Sequence, residues 1–376
     1  MTRTLKFAMD EIPFKQKFSH ASFEREASTT LWVSLKSHLS HGLGEACPRP
    51  YVTGETPETV QKFFLDSRAD LFANTTNYED FVALLEKERA WIDQNPSAFC
   101  ALELAWWDLF AKSKDVSIDK VFGERSLGFK TPNTMVVGLG TSGKMLKTYL
   151  RGLALGFKDF KIKISPDSQK EVLLFLNHSL FKASRIFKPK IRIDANNSFA
   201  NFADLQKVLD LIPHQVWAVE EPFAVENREA REEFLQKSKS LLILDESLVK
   251  LSDLKAYEHA PLRICLNVRI SKLGGLLRTQ EIVDYAQKNG IRWGLGCQVG
   301  ETSLLARAGL LILDKNEHRP LFWEGAFSDH LLTQDPFMPK LKVGPWGLLI
   351  GQSQIQGSGW GIFPASEYFK KLGVLS

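Results

Sequence analysis

From Thr134 onward, short apolar runs recur along the chain, each followed by a longer amphipathic segment. The runs are TMVVGLG, FKIKI, KIRIDAN, VWAVEEP, LLILDES, RICLNVR, IRWGLGC and PLFWEGA, eight in all. Their starts lie about 25 to 30 residues apart, the length of one strand, one helix and two short loops. Eight such units in series predict an α/β fold closed as a (β/α)8 TIM barrel. A doubly wound open sheet is the alternative, but it more often carries five or six strands.

Upstream the pattern differs. The first fifty residues read as extended, with β-rich stretches around a polar turn in FKQKFSHASFEREASTTLWVSLKS, then a Gly/Pro-rich loop in HGLGEACPRPYVTGET. Residues 57–112 turn helical, and Phe99, Leu102, Trp106, Leu109 and Phe110 are spaced to form one apolar stripe. The expected organisation is an α+β unit over 1–125, the barrel over 126–340, and a Gly- and Trp-rich tail over 341–376. The tail is too short to fold alone and is expected to pack back on the N-terminal unit.

Composition narrows the class. The chain has 376 residues, 44% hydrophobic and 24% charged, which excludes disorder, collagen-like repeats and coiled coil. The net charge of +4 is spread out, with no basic cluster interleaved with aromatics, so nucleic acid is not an expected partner. Cys47, Cys100, Cys265 and Cys297 form no CxxC pair, which argues against a zinc site or a disulfide framework. With no signal core and no apolar run of about 18 residues, the expectation is a cytoplasmic protein without a membrane partner. Self-association as a homo-oligomer is left open.

In a barrel, chemistry gathers at the C-terminal strand ends. Those positions hold Lys161 and Lys163 on strand 2, Asp194 on strand 3, Glu220 and Glu221 on strand 4, and Asp245 and Glu246 on strand 5. Arg269 ends strand 6, with Lys272 three residues later. Acids on three successive strands repel one another unless a cation holds them, and oxygen ligands without His or Cys favour Mg²⁺, with Mn²⁺ as a substitute. Lys161 and Lys163 are two apart on a strand, so both face inward. A lysine beside a second ammonium and near a divalent cation is expected to lose its proton more easily and serve as a base. Taken singly, a KxK is more often a solvated face, and DAN, DES or EEP a turn or a cap. Their order, one set per consecutive repeat, sets them apart.

The combination resembles the enolase superfamily, in particular its muconate-lactonizing subgroup. The matching pieces are KIK (161–163), IRIDANNSF (191–199), VEEPF (219–223), LDES (244–247) and LNVRISKLGG (266–275). Outside the barrel, ALELAWWDLFAKSKDVSIDKVFG (101–123) and GLGEACP (42–48) are similar to the capping domain's last helix and its loop near the active site. The resemblance implies a modified barrel under an N-terminal α+β capping domain. It further implies Mg²⁺ on Asp194, Glu220 and Asp245, with Lys163 as acid/base and Lys161 assisting. Glu221 and Glu246 would be neighbours, and Asn196 a contact of the site or of the substrate, a small carboxylate.

Arg269 departs from the subgroup, which usually carries lysine there in N-x-K-x-x-K-x-G-G. An arginine stays protonated at neutral pH, so a 1,1-proton transfer loses one of its two carriers. The epimerase-type DxD near strand 8 is also absent from PLFWEGAFSDH. Dehydration like that of the o-succinylbenzoate synthases, or cycloisomerisation, needs only one acid/base. The expected activity is therefore Mg²⁺-dependent proton abstraction α to a carboxylate, through an enediolate, as a lyase or isomerase. The alternatives are a dipeptide epimerase or N-acylamino acid racemase and, from another class, a silent acid-binding barrel.

Further candidate substrate contacts are Arg49 and Tyr51 in the capping loop, Lys272, Cys297 and Glu301 after strand 7, and Glu324 ending strand 8. VVGLGTSGK (136–144) spells G-x-G-x-x-G, with Asp159 about twenty residues on as a dinucleotide fingerprint wants. A nicotinamide reading leaves the strand-end acids and lysines unexplained. As a Walker loop, the stretch has Met145 where Ser or Thr is required.

Overall fold

A computed structural model describes residues 3–20, 23–38, 40–123, 132–212, 216–316 and 319–375. The N-terminal unit is a three-stranded antiparallel sheet of β1 (Thr4–His20), β2 (Phe23–Lys36) and β3 (His41–Ala46), in that order. It is followed by helices α1 (Pro57–Leu65), α2 (Ser67–Asn74), α3 (Tyr78–Lys87) and α4 (Pro96–Ser113). Side chains of Thr56, Asp66 and Asn77 accept backbone N–H groups at the starts of α1, α2 and α3. Glu55 caps α4, taking the N–H groups of Ser97 and Ala98 at 2.8 Å each.

Two sequence expectations change here. Residues 41–46, read as part of a loop, are the strand β3, which pairs with β2 from Leu31↔Ala46 to Lys36↔His41. Its glycines are what let α4 lie directly on it. A Cβ on Gly42 would stand 2.0 Å from the carbonyl oxygen of Ala105, and one on Gly44 1.9 Å from that of Ala101. And α4 is buried on every side from Pro96 to Ala111, not along a single stripe, because the sheet covers one flank and the barrel another.

The barrel strands are β4 (Met135–Val137), β5 (Asp159–Lys163), β6 (Lys190–Asp194), β7 (Val216–Glu220), β8 (Leu241–Leu244), β9 (Ile264–Val268) and β10 (Arg292–Leu295). They are parallel and paired in chain order. The eighth run pairs with β10 through a bridge at Trp323 and the bonds Leu295 N to Phe322 O (3.1 Å) and Glu324 N to Leu295 O (2.7 Å). Thr134 N donates to Trp323 O at 2.8 Å, which joins that run to the segment leading into β4 and closes the ring. Helices α5 (Ser142–Ala154), α6 (Gln169–Asn177), α7 (Phe202–Leu209), α8 (Arg228–Lys237), α9 (Leu276–Lys288) and α10 (Ser303–Lys315) lie between strands. After β8 a 3-10 helix, Leu251–Tyr257, stands in place of an α-helix. The architecture is a modified (β/α)8 barrel under an α+β cap.

The glycine fingerprint follows the C-terminal end of β4, whereas Asp159 begins β5 and so sits at the opposite end of the barrel. The two cannot meet one dinucleotide. The C-terminal segment reaches the cap: Trp360 donates to Leu43 O and Asp108 Oδ1 (2.8 and 3.0 Å), and Phe369 packs edge-on against Trp32. All four cysteines are free. Among the described residues no helix is long and apolar enough to cross a membrane.

Candidate active site at the strand ends

Strand register assembles the site. The pairings Lys163↔Asp194 and Asp194↔Glu220 put three residues, from the last positions of β5, β6 and β7, in one row. Asp245 follows β8 and Arg269 follows β9. Lys163 Nζ donates to Asn196 Oδ1 at 2.6 Å and stands 3.3 Å from Asp194 Oδ2. Asn196, Asn197 and Glu221 have positive φ values (44°, 62° and 37°). The backbone just past β6 and β7 is thus held in a left-handed conformation that costs energy in non-glycine residues.

Below Lys163, Lys161 is enclosed by acids: Glu324 at 2.9 Å, Glu220 at 3.3 Å and Asp194 at 3.4 Å. Burial favours the neutral amine, but the three carboxylates outweigh it and hold Lys161 above the ordinary lysine range. At this position carboxylates outnumber the ammonium neighbours. Glu324 is itself held between Lys161 and Arg192, whose guanidinium stacks on Phe322 at 3.6 Å. It belongs to an ion network beneath the site and not to a substrate surface.

The acids differ sharply. For Asp194, burial is outweighed by Lys163, Lys161 and Arg269, which keep its carboxyl well below the usual range. Burial pushes Glu220 up to about 7, helped by Asp194, Glu324 and Asp245 and opposed by Lys161. Burial and the neighbouring Asp245 and Glu221 push Glu246 up to about 8. Arg269 Nη2 hydrogen-bonds Asp245 and lies 3.7 Å from Glu220. Burial opposes its charge, but Asp245, Glu246 and Glu220 hold the guanidinium well above its ordinary value.

The donor set is chemically suited to a hard divalent cation. It offers only carboxylate oxygens, from three successive strand ends, beside a buried Glu246 Oε2 that has no hydrogen-bond partner. The acids do not, however, meet on one point as the sequence suggested. Lys161 and Arg269 are interleaved between them, since buried carboxylates draw the nearest cations. Among the described residues no group of three His, Cys, Asp or Glu side chains stands in a metal-holding arrangement.

Several candidate contacts are engaged elsewhere. Arg49 is fully buried, its guanidinium donating to Thr29 O, Pro48 O, Ser28 Oγ and Val299 O at 2.7–2.9 Å; it ties the cap to the loop after β10. Lys272, also fully buried, donates to Asp245 Oδ1, Asp245 O and Asn267 O, so neither it nor Arg49 is free to meet a substrate. Glu301 accepts from Gln298 N at 2.6 Å, and burial pushes it up to about 7. Cys297 is partly exposed, and burial, Glu301 and Glu324 raise its thiol. Tyr51 remains on the cap surface under the Arg25 guanidinium, 5.0 Å from its ring centre. Sequence reasoning missed Gln298, which is buried and accepts from Arg269 Nη1 at 3.2 Å. It lies in a loop whose glutamine has no motif to flag it.

The family model for enolase C-terminal domain-like proteins matches residues 145–343. The L-Ala-D/L-Glu epimerase of Francisella tularensis subsp. novicida is 24% identical over 344 residues, 88% of this chain and 94% of that one. The o-succinylbenzoate synthase of Bacillus subtilis is 30% identical over 198 residues, 52% of this chain and 50% of that one. The crystal structure of the dipeptide epimerase from Enterococcus faecalis V583, complexed with Mg and the dipeptide L-Leu-L-Tyr, superposes with a TM-score of 0.78 at 20% identity. It covers 96% of this chain and 99% of that one.

Proposed function

The chain belongs to the enolase C-terminal domain-like family, and on that premise we propose that Lys163 is its single proton carrier. In this reading Lys163 removes the proton α to a substrate carboxylate, and the reaction ends by expulsion of a group or by internal ring closure. That the chain is an enzyme of the enolase superfamily, an isomerase or lyase, sets aside a silent acid-binding barrel.

One observation carries the reading. Lys163 ends the second strand of the barrel and Arg269 follows the sixth, so the two stand on opposite walls. Arg269 is held in its charged form by the acids around it, and a guanidinium neither takes nor gives a proton at neutral pH. A substrate carbon between them can exchange a proton on the Lys163 side only.

Asn196 accepts from Lys163 and aims its Nζ. In a dehydration, Lys163 Nζ takes the α-proton and the electron pair moves to form the carbon–carbon double bond. As the β-carbon–oxygen bond breaks, Nζ returns the proton to the departing hydroxyl, releasing water. Lys161, fixed by Glu324, and Arg269 stay charged throughout and neutralise negative charge developing on the carboxylate. Asp194, Glu220 and Asp245 would hold Mg²⁺, whose chemistry when bound is Lewis-acid stabilisation of that same charge. The four unpaired cysteines suit a reducing, cytoplasmic setting.

A 1,1-proton transfer is the second reading, favoured by the match to an L-Ala-D/L-Glu epimerase along 88% of the chain. It requires a carrier on the Arg269 wall, where Lys272 is fully buried and bonded to Asn267 O and Asp245.

The test is incubation with Mg²⁺ in D₂O of the o-succinylbenzoate precursor, muconates, N-acyl amino acids and dipeptides, followed by proton NMR. The expected result is turnover or α-proton exchange for one of these acids, abolished in Lys163→Ala. Exchange that survives in Lys163→Ala would overturn the assignment.

A further inference from the structure

A guanidinium lodged among carboxylates that are to hold a metal has a consequence for metal binding. Arg269 Nη2 hydrogen-bonds Asp245 Oδ2 and lies 3.7 Å from Glu220 Oε1, so it touches two of the three acids. Its other terminal nitrogen donates to Gln298 Oε1 at 3.2 Å, and Gln298 is pinned through its own N–H to Glu301 Oε1 at 2.6 Å. Asp245 Oδ1 already takes Lys272 at 3.0 Å, so both oxygens of that carboxylate are engaged by cations. A lysine at this position could yield its proton to make room for a metal. Arginine keeps its charge at every physiological pH and can only move aside.

Building on the acid set proposed above, we propose that Arg269 is a resident counter-ion competing with the divalent cation for Asp245 and Glu220. It is drawn off by the carboxylate of the incoming substrate. The planar guanidinium fork matches a carboxylate with two parallel hydrogen bonds, so a substrate acid offers Arg269 a replacement for Asp245. Once the fork has turned to the substrate, Asp245 and Glu220 are released toward the metal. Metal and carboxylate therefore bind with positive coupling, and because such coupling is reciprocal each tightens the other. Gln298 anchors the edge of the guanidinium that faces away from Asp245 and sets the pivot.

The experiment is Mn²⁺ binding to the full chain, read by electron paramagnetic resonance of the free ion, with and without saturating succinate as a non-reacting carboxylate probe. Wild type is expected to bind Mn²⁺ weakly alone and about tenfold more tightly with succinate, within the usual range of coupling between sites. Arg269→Met is expected to bind about tenfold more tightly than wild type without succinate, and to lose the succinate effect. Arg269→Lys keeps a charge for folding but has no fork to bridge two acids. It is expected to lie between the two and carries the test if Arg269→Met does not fold. Equal Mn²⁺ affinity in wild type and both variants, or no effect of succinate on wild type, overturns the competition while leaving the acid set standing. Failure of every form to bind Mn²⁺ overturns both the competition and the metal assignment.

Discussion

Glu45 of the capping sheet accepts the backbone N–H of Thr302 at 2.7 Å and of Leu305 at 3.0 Å, so a carboxylate from the cap closes the start of barrel helix α10. Glu103 of α4 does the same for α9, accepting from Leu277 N at 3.0 Å. Two helices that follow the barrel's sixth and seventh strands thus begin on acids from the N-terminal unit. Hydrogen bonds tie the cap to the barrel at these two helix starts.

A pH dependence follows. Burial pushes Glu45 up to about 8 and Glu103 up to about 7. In the unfolded chain these carboxyls titrate near about 4.3, so the folded chain binds more protons between that value and about 8. Stability from these groups is fully present below about pH 4 and falls as pH rises through the window, by up to about 1.4 kcal/mol per unit for each group. A melting-temperature profile from about pH 5 to 9 should decline, and Glu45→Gln should flatten it. A wild-type profile rising across that range would contradict the burial argument.

Gly44→Ala should destabilise the cap severely. The added methyl would lie 1.9 Å from the carbonyl oxygen of Ala101, a backbone atom of α4 that cannot swing away. The loss is expected at the upper end of overpacking costs, about 3 kcal/mol. Urea denaturation measures it, and a change under about 0.5 kcal/mol would mean the strand and helix separate easily.

How much of this was legible in the sequence varies by element. The eight apolar runs marked every barrel strand because buried parallel strands are apolar on both faces. The acids at their ends stood out because charge at a strand terminus interrupts that pattern. Gly42 and Gly44 misled, since a glycine pair reads as a turn unless the helix that needs the space is known. The all-round burial of α4 was hidden for a similar reason: its second covering surface comes from the barrel. Arg49 and Lys272 look like ligand contacts until their backbone carbonyl partners, among them the distant Val299 and Asp245, are seen. The ring of carboxylates around Lys161 is completed by Glu324, which arrives 163 residues later.

Glu324→Gln should expose the network beneath the site. It removes the carboxylate shared by Lys161 and Arg192, both almost fully buried, leaving Lys161 to Glu220 and Asp194 at 3.3 and 3.4 Å and Arg192 to Asp159 at 3.9 Å. The expected cost is about 3–5 kcal/mol, read by chemical denaturation. A loss below about 1 kcal/mol would show that other acids take over.

Asn196→Ala should separate aim from chemistry. It removes the acceptor 2.6 Å from Lys163 Nζ and leaves the lysine in place. A fall in kcat of about tenfold is expected with KM little changed, against about 10²- to 10⁴-fold for Lys163→Ala. Steady-state kinetics on the acid identified by the exchange screen checks both, and equal losses would mean that Asn196 does more than orient.

The most direct measurement is the stereochemistry of α-exchange by wild type in D₂O, starting from each enantiomer of a chiral carboxylate substrate separately. With Lys163 alone on one wall and Arg269 fixed in charge on the other, deuterium should enter one enantiomer only, with its configuration retained. Deuterated product of inverted configuration from both enantiomers would show a second proton carrier opposite Lys163 and contradict one-sided chemistry.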